Sequence, residues 1–285
     1  MSQTRTQLPN FLYIGPDKAG SSWLHEVLIR HPEIFLTPAK DLYFFDRYFD
    51  RGASWYQQQF RDSRPHHDVV GEVCQDYLFH PEAAERINEV LGPVKLMVTL
   101  REPAQRAFSS YLYMLKQGQQ PGTFREALAA RPELIEHGRY GSGLRRFLRY
   151  NDPQAVHVAL FDDLVEEPQV FVDGVLAFLG VSAFTLDESL LAARLPASQA
   201  RSVVLARLAR RAADWVREHD GARAVGAVKR SSVTQKLLYR PLSRPPQLSA
   251  DDAAYVRSVL EAEIAEVEET FGVQLRRRWG WAGAP

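Results

Sequence analysis

Four short β-rich runs, "FLYIG", "DVVGEV", "VKLMVTL" and "AVHVALF", alternate along this chain with helix-length segments. The intervening stretches "SSWLHEVLIRH", "PEAAERINEVLG", "PAQRAFSSYLYMLKQ" and "EEPQVFVDGVLAFLG" carry apolar residues at helical spacing. A strand that is followed by a helix and then another strand pairs in parallel, because the helix carries the chain back across the sheet. The expected fold is therefore α/β: a central parallel sheet flanked by helices, with ligands bound beyond the carboxyl ends of the strands. Pro81 and Pro103 stand at or near two helix starts, where a missing N–H is harmless.

From about Gln119 to Tyr150 the pattern loosens into short helices with glycines, read as an insertion on the substrate side. From about Leu195 the chain is helical and rich in Arg and Ala, with a proline cluster between Arg240 and Pro246. The segment Asp251 to Phe271 reads as a long amphipathic helix whose "SADD" start supplies an N-cap and first-turn acids. No repeat or linker divides the 285 residues, so one domain over residues 1–285 is expected.

Composition narrows the classes. Lys plus Arg total 35 and Asp plus Glu total 35, so nothing in the net charge points to nucleic acid or an anionic membrane surface. The single cysteine, Cys74, excludes an internal disulfide framework and reads as a buried small side chain. The start "MSQTRTQLPN" lacks a secretory apolar core, and no run approaches the roughly 20 apolar residues of a membrane span. The expectation is a soluble, cytoplasmic protein without a membrane span.

The first chemical signal is "FLYIGPDKAGSSWLHEVL", residues 11 to 28. A strand ending at Gly15 and a helix starting near Ser21 aim the backbone N–H groups of Ala19, Gly20, Ser21, Ser22 and Trp23 at the strand's end, where the helix dipole favours an anion. The two serine hydroxyls add donors and Lys18 adds a mobile charge. Gly15 and Gly20 match the spacing of the nucleotide triphosphate loop, but the lysine precedes the second glycine instead of following it. The second signal is "VTLREPAQRAFSSYLY", residues 98 to 113, in which Arg101 leaves a strand at the same sheet edge. Arg101 and Ser109 are eight residues apart, roughly 12 Å along a helix axis, so a large anion between them is their natural meeting point.

Together, "GPDKAGSSWL" and "REPAQRAFSSY" resemble the two signature motifs, K-x-G-T-T/S-x-L and R-x-P-x-x-R-x-x-S-x-Y, of sulfotransferases that use 3'-phosphoadenosine 5'-phosphosulfate (PAPS). "HPEIFLTPAKDLYFFD", "GEVCQDYLFHPEAAERI", "GRYGSGLRRFL" and "VALFDDLVEEPQVFVDGVLAFLGV" are similar to further segments of the heparan-type and bacterial branch, in order, from Phe11 to about Val181. The resemblance implies that Lys18, Gly20, Ser21 and Ser22 hold the 5'-phosphosulfate and that Arg101 and Ser109 hold the 3'-phosphate. Arg201, in "PASQARSVVLARL", falls where a later arginine of the family assists that phosphate.

It also implies sulfuryl transfer from PAPS to a hydroxyl or amine of a small-molecule, lipid or carbohydrate acceptor, releasing 3',5'-adenosine bisphosphate, with no metal required. Asp41 replaces the family's catalytic glutamate in K-E-x-x-F-F, one methylene shorter, and is the expected general base. Glu72, at a strand's end, is the second choice, for orienting substrate or Lys18; His25, Asp46, His67 and His137 are the rivals. Val73 stands where glycosaminoglycan-acting members have lysine, which points away from a heparan-like polymer and toward a small or lipidic hydroxylated metabolite. The competing readings are a nucleotide-dependent kinase, disfavoured by the lysine position and the lack of a strand-terminal Asp for magnesium, and a non-catalytic nucleotide-binding member of the fold.

Overall fold

The computed structural model describes residues 8–117, 119, 122–192, 198–200, 239–241 and 246–281. In chain order, β1 (Phe11–Gly15), α1 (Ser21–Leu28), β2 (Ile34–Leu36), α2 (Gly52–Gln58), β3 (Val69–Val73), α3 (Ala83–Leu91) and β4 (Lys95–Leu100) make the first part. The helices α4 (Pro103–Lys116), α5 (Phe124–Ala130), α6 (Glu133–Glu136) and α7 (Tyr140–Phe147) come next, then β5 (Val156–Leu160), α8 (Phe161–Glu166), α9 (Pro168–Leu179) and α10 (Glu188–Ala192). Two three-residue strands, β6 (Ser198–Ala200) and β7 (Tyr239–Pro241), pair antiparallel. The long helix α11 (Ala250–Phe271) and α12 (Leu275–Arg278) follow.

The chain falls into two compact units, one of Met1–Arg101, Arg139–Ala193 and Glu261–Pro285, the other of Glu102–Gly138 and Arg194–Leu260. The first holds a five-stranded sheet in the order β2-β3-β1-β4-β5, every neighbouring pair parallel. Because helices cover both faces, all five residues of β1 and of β3 are buried, with Glu72 the one charged side chain among them. Leu12 and Ile14 face one cluster with Phe44, Tyr56 and Tyr77, joined by Ile264 and Val267 of α11. Phe11 and Tyr13 face the other, with Leu24 and Leu28 of α1 and Val172 and Val175 of α9.

The strand β2 is an addition to the four runs read from the sequence. Its three residues, "IFL", are too few for an alternation to register, and Pro32 and Pro38 bracket it. It pairs only with β3 and forms the rim of the sheet.

In the second unit, Ala104, Ala107, Phe108 and Tyr111 of α4 pack with Phe124, Leu128 and Leu134 and with Val256 and Leu260 of α11. Pro103 occupies the first turn of α4, and Glu102 caps it by accepting from the Gln105 N–H at 2.7 Å. Arg106 is fully buried there and donates to the Leu134 carbonyl. The Arg/Ala-rich stretch expected to be helical, residues 201–238, lies outside the described residues.

Candidate active site

The loop between β1 and α1 takes its shape from glycines. Gly15 has φ of 131°, and a Cβ there would stand 2.6 Å from the Gln75 carbonyl oxygen. Only glycine tolerates both the conformation and the approach. Lys18 (φ 61°) and Gly20 (φ 87°) are left-handed, the backbone conformation that contributes to anion-binding nests. A Cβ on Gly20 would meet Leu164 Cδ1 at 2.7 Å, so α8 closes the back of the loop. The N-cap of α1 is Gly20, which has no side chain to cap it, and no acid stands in the helix's first turn. Its N-terminal donors and its positive dipole end therefore suit an incoming anion. Ser21 is buried and Ser22 exposed, while the Trp23 indole donates to the Leu190 carbonyl at 2.8 Å and so serves packing through its ring.

Arg101, one residue beyond β4, reaches back to this loop. Its Nη1 donates to the Lys18 backbone oxygen at 2.8 Å, and its guanidinium lies 4.5 Å from the centre of the Phe161 ring. Tyr140 Oη donates to the Arg101 carbonyl at 2.8 Å. The two signature motifs thus meet physically at Lys18 and Arg101.

Asp41 joins the same region through β3. Its N–H donates to the Val73 carbonyl at 2.9 Å, and its Oδ1 accepts from the Gln75 N–H at 3.3 Å and from Lys40 Nζ at 2.7 Å. Gln75 is the residue whose carbonyl crowds Gly15, so one residue links Asp41 to the start of the lysine loop. Asp41 itself has φ of 61° and Tyr43 has φ of 55°, two left-handed non-glycine residues in one short segment. Such strain persists only where the surroundings impose it. Oδ2 of Asp41 carries no hydrogen bond among the described residues.

Glu72 is fully buried. Tyr77 Oη donates to its Oε1 and Tyr56 Oη to its Oε2, each at 2.8 Å. Burial pushes its carboxyl up to about 8 despite those two donors and the Leu42 N–H. Of the rival bases, His25 pairs with the Thr37 carbonyl at 2.9 Å, and His67 Nδ1 accepts from the Arg64 N–H at 2.8 Å. Asp46 pairs with Arg47 at 3.3 Å, and burial raises its carboxyl. Ser109 and His137 lie in the second unit, Ser109 half-buried on α4. Arg201 is outside the described residues.

Phe161, Tyr140 and Gln75 escaped the sequence reading. Phe161 had a usable signal, since it directly follows β5 at the carboxyl edge where ligands gather. Tyr140 and Gln75 act through an Oη and a backbone, which no spacing announces.

The residues present suit a phosphosulfate: a glycine-shaped loop that carries Lys18 leads into a helix start with no acid in its first turn, and Arg101 reaches the loop backbone. The sulfotransferase domain family matches residues 8–194. The chain belongs to that family. It is 30% identical over 176 residues to heparan sulfate glucosamine 3-O-sulfotransferase 5 of Homo sapiens, covering 57% of this chain and 50% of that protein. It is 32% identical over 111 residues to the membrane-associated sulfotransferase kil1 of Dictyostelium discoideum, covering 38% of this chain and 24% of that one. The chain thus spans about half, or less, of the length of the curated relatives it matches. A crystal structure of a sulfotransferase from Alicyclobacillus acidocaldarius shares the fold with a TM-score of 0.68 at 22% identity, over 95% of this chain and 98% of that one. Among the described residues no helix is long and apolar enough to cross a membrane.

Proposed function

We propose that this protein transfers a sulfuryl group from PAPS to a hydroxyl or amine of a small-molecule, lipid or carbohydrate acceptor. The observation that carries this reading is the meeting of the two family motifs at the Lys18 carbonyl, where Arg101 reaches the loop that leads into the start of α1. PAPS, when bound, supplies the sulfuryl group and departs as 3',5'-adenosine bisphosphate. Sulfuryl transfer resembles phosphoryl transfer, so the protein's work is positioning and charge stabilisation.

In this reading Lys18 stabilises the charge that develops on the bridging oxygen of the departing 5'-phosphate, with the N–H groups of Ala19 to Trp23 and the hydroxyls of Ser21 and Ser22 beside it. Asp41 accepts the acceptor's proton on Oδ2 while Oδ1 stays fixed by Lys40 and Gln75. The acceptor oxygen or nitrogen gains its bond to sulfur as the bond from sulfur to the phosphate oxygen breaks. Arg101 and Ser109 serve the 3'-phosphate, an assignment that rests on the motif, and Arg201 is a further candidate by the same warrant. Leu42, Tyr43, Phe44 and Phe45 are core residues, so the preference for a small or lipidic hydroxylated acceptor rests on Val73 standing where glycosaminoglycan-acting members have lysine.

The test is transfer of isotopically labelled sulfate from PAPS to a panel containing a phenol, a hexose, an aliphatic alcohol and a lipid alcohol. A labelled product from one of them, absent with Lys18→Ala, is expected. A protein that binds 3',5'-adenosine bisphosphate yet labels none of them defeats the catalytic reading in favour of nucleotide binding alone.

A further inference from the structure

Glu72 occupies a position that strand alternation assigns to an apolar side chain. Val70 on the same face of β3, and Cys74 just beyond the strand, belong to the cluster of Leu12, Phe44 and Phe60. The Tyr56 ring stacks on Phe44 with centroids 4.5 Å apart, and Phe60 closes edge-on at 5.0 Å. Into this box project the two tyrosine hydroxyls, both toward the carboxyl group. Tyr77 Oη also accepts from the Phe44 N–H at 3.0 Å. Glu72 therefore holds the Phe44 backbone through Tyr77, next to the left-handed Tyr43 and three residues after Asp41.

We propose that Glu72 is a positioning residue, fastening the segment from Asp41 to Phe45 so that the carboxylate of Asp41 faces the acceptor, and that ionisation of Glu72 loosens this fastening and produces the alkaline fall in turnover. This rests on Asp41 being the base of the proposed reaction. Charge in the surroundings supports the direction. Asp46 faces Glu72 with like charge, and Lys40, Arg47 and Arg86 are engaged elsewhere: Lys40 on Asp41, Arg47 on Asp46 and Asp76, Arg86 on Glu82 and the Phe45 carbonyl. The Cys74 thiol and the hydroxyls of Tyr43, Tyr56 and Tyr77 are all held neutral by burial. Among the described residues no cation pairs with Glu72, so its anion is uncompensated in an apolar box.

The sign follows from the carboxyl standing at about 8, above its ordinary value. The neutral acid is the form the fold favours, so its contribution to stability is complete below the ordinary carboxylate range and is lost as pH rises through about 8. Glu72→Gln keeps an acceptor and a neutral head group; Tyr77→Phe removes a donor to the carboxylate and thereby raises its pKa.

The experiment measures kcat and KM at saturating PAPS from pH 6 to 10 for the wild type and both variants, using the panel acceptor turned over fastest, with melting temperatures over the same range without ligand. The expected result is an alkaline fall in wild-type kcat near pH 8, its absence in Glu72→Gln and its displacement to higher pH in Tyr77→Phe, with KM for PAPS unchanged. A Glu72→Gln profile that superimposes on the wild type overturns the proposal. So does complete loss of turnover at every pH in a Glu72→Gln protein with normal melting, because Glu72 would then act on the acceptor itself. If the wild type labels no acceptor, the functional reading fails instead. The melting curves still judge the fastening, which requires wild-type stability to drop relative to Glu72→Gln as pH rises.

Discussion

The guanidinium of Arg101 donates to the backbone oxygen of Lys18 at 2.8 Å, so the arginine of one motif braces the peptide that carries the lysine of the other. The planar Phe161 ring supports it from below and Tyr140 fixes its carbonyl. Lysine lacks the flat fork needed to bridge a carbonyl and an anion at once. Arg101→Lys should weaken binding of 3',5'-adenosine bisphosphate by roughly 10- to 100-fold. Phe161→Leu should weaken it by only a few-fold, the size of a partly exposed cation–π contact. Calorimetric titration of each variant checks both, and equal losses would contradict the bracing role.

Lys18→Ala removes the charge carried by the loop between β1 and α1. Expected are a fall in nucleotide affinity of roughly 10-fold or more and a larger fall in kcat, because the charge matters most where negative charge develops during transfer. Steady-state kinetics alongside nucleotide titration separate the two losses. A change confined to KM would show that Lys18 binds the donor without stabilising its departure.

Asp41→Asn keeps the shape and the acceptor oxygen but removes the proton-accepting charge. Turnover should fall about 10²- to 10⁴-fold while affinity for 3',5'-adenosine bisphosphate stays within a factor of two or so. Asp41→Glu should restore part of the rate. Preserved turnover in the asparagine variant would return the base assignment to Asp46 or a histidine.

Gly15→Ala should be strongly destabilising, since the added methyl meets a backbone oxygen at 2.6 Å in a positive-φ conformation. A loss of about 2–3 kcal/mol is expected from overpacking and backbone strain together. Denaturant titration reads it. Gly174→Ala, where a Cβ meets nothing within 4 Å, is the control and should cost nothing measurable.

The parallel sheet was legible because buried strands and crossover helices impose different periods on long stretches, and Phe11–Gly15, Lys95–Leu100 and Val156–Leu160 fall within runs visible by eye. The three-residue β2 was not, for it has too little length to show a period. Lys18, Arg101 and Asp41 stood out in the sequence as motif residues in the segments that follow β1, β4 and β2. What the sequence could not disclose was the contact between them: it passes through backbone atoms of Lys18, Val73 and Gln75, which every residue type possesses. Glu72 stood out as a charged letter in an apolar run, but its tyrosine partners come from 16 residues before and 5 after, a proximity only the fold creates.

The rim position of β2 gives the scaffold an inherent division of labour. Segments leaving the interior strands β1 and β4 carry the two signature motifs, whereas the segment bearing Asp41 follows the shortest strand of the five-stranded sheet, which pairs on one flank among the described residues. Insertions or replacements at that margin disturb few ladder bonds, so one half of such a machine is free to diversify while the other is held fast by the middle of the sheet.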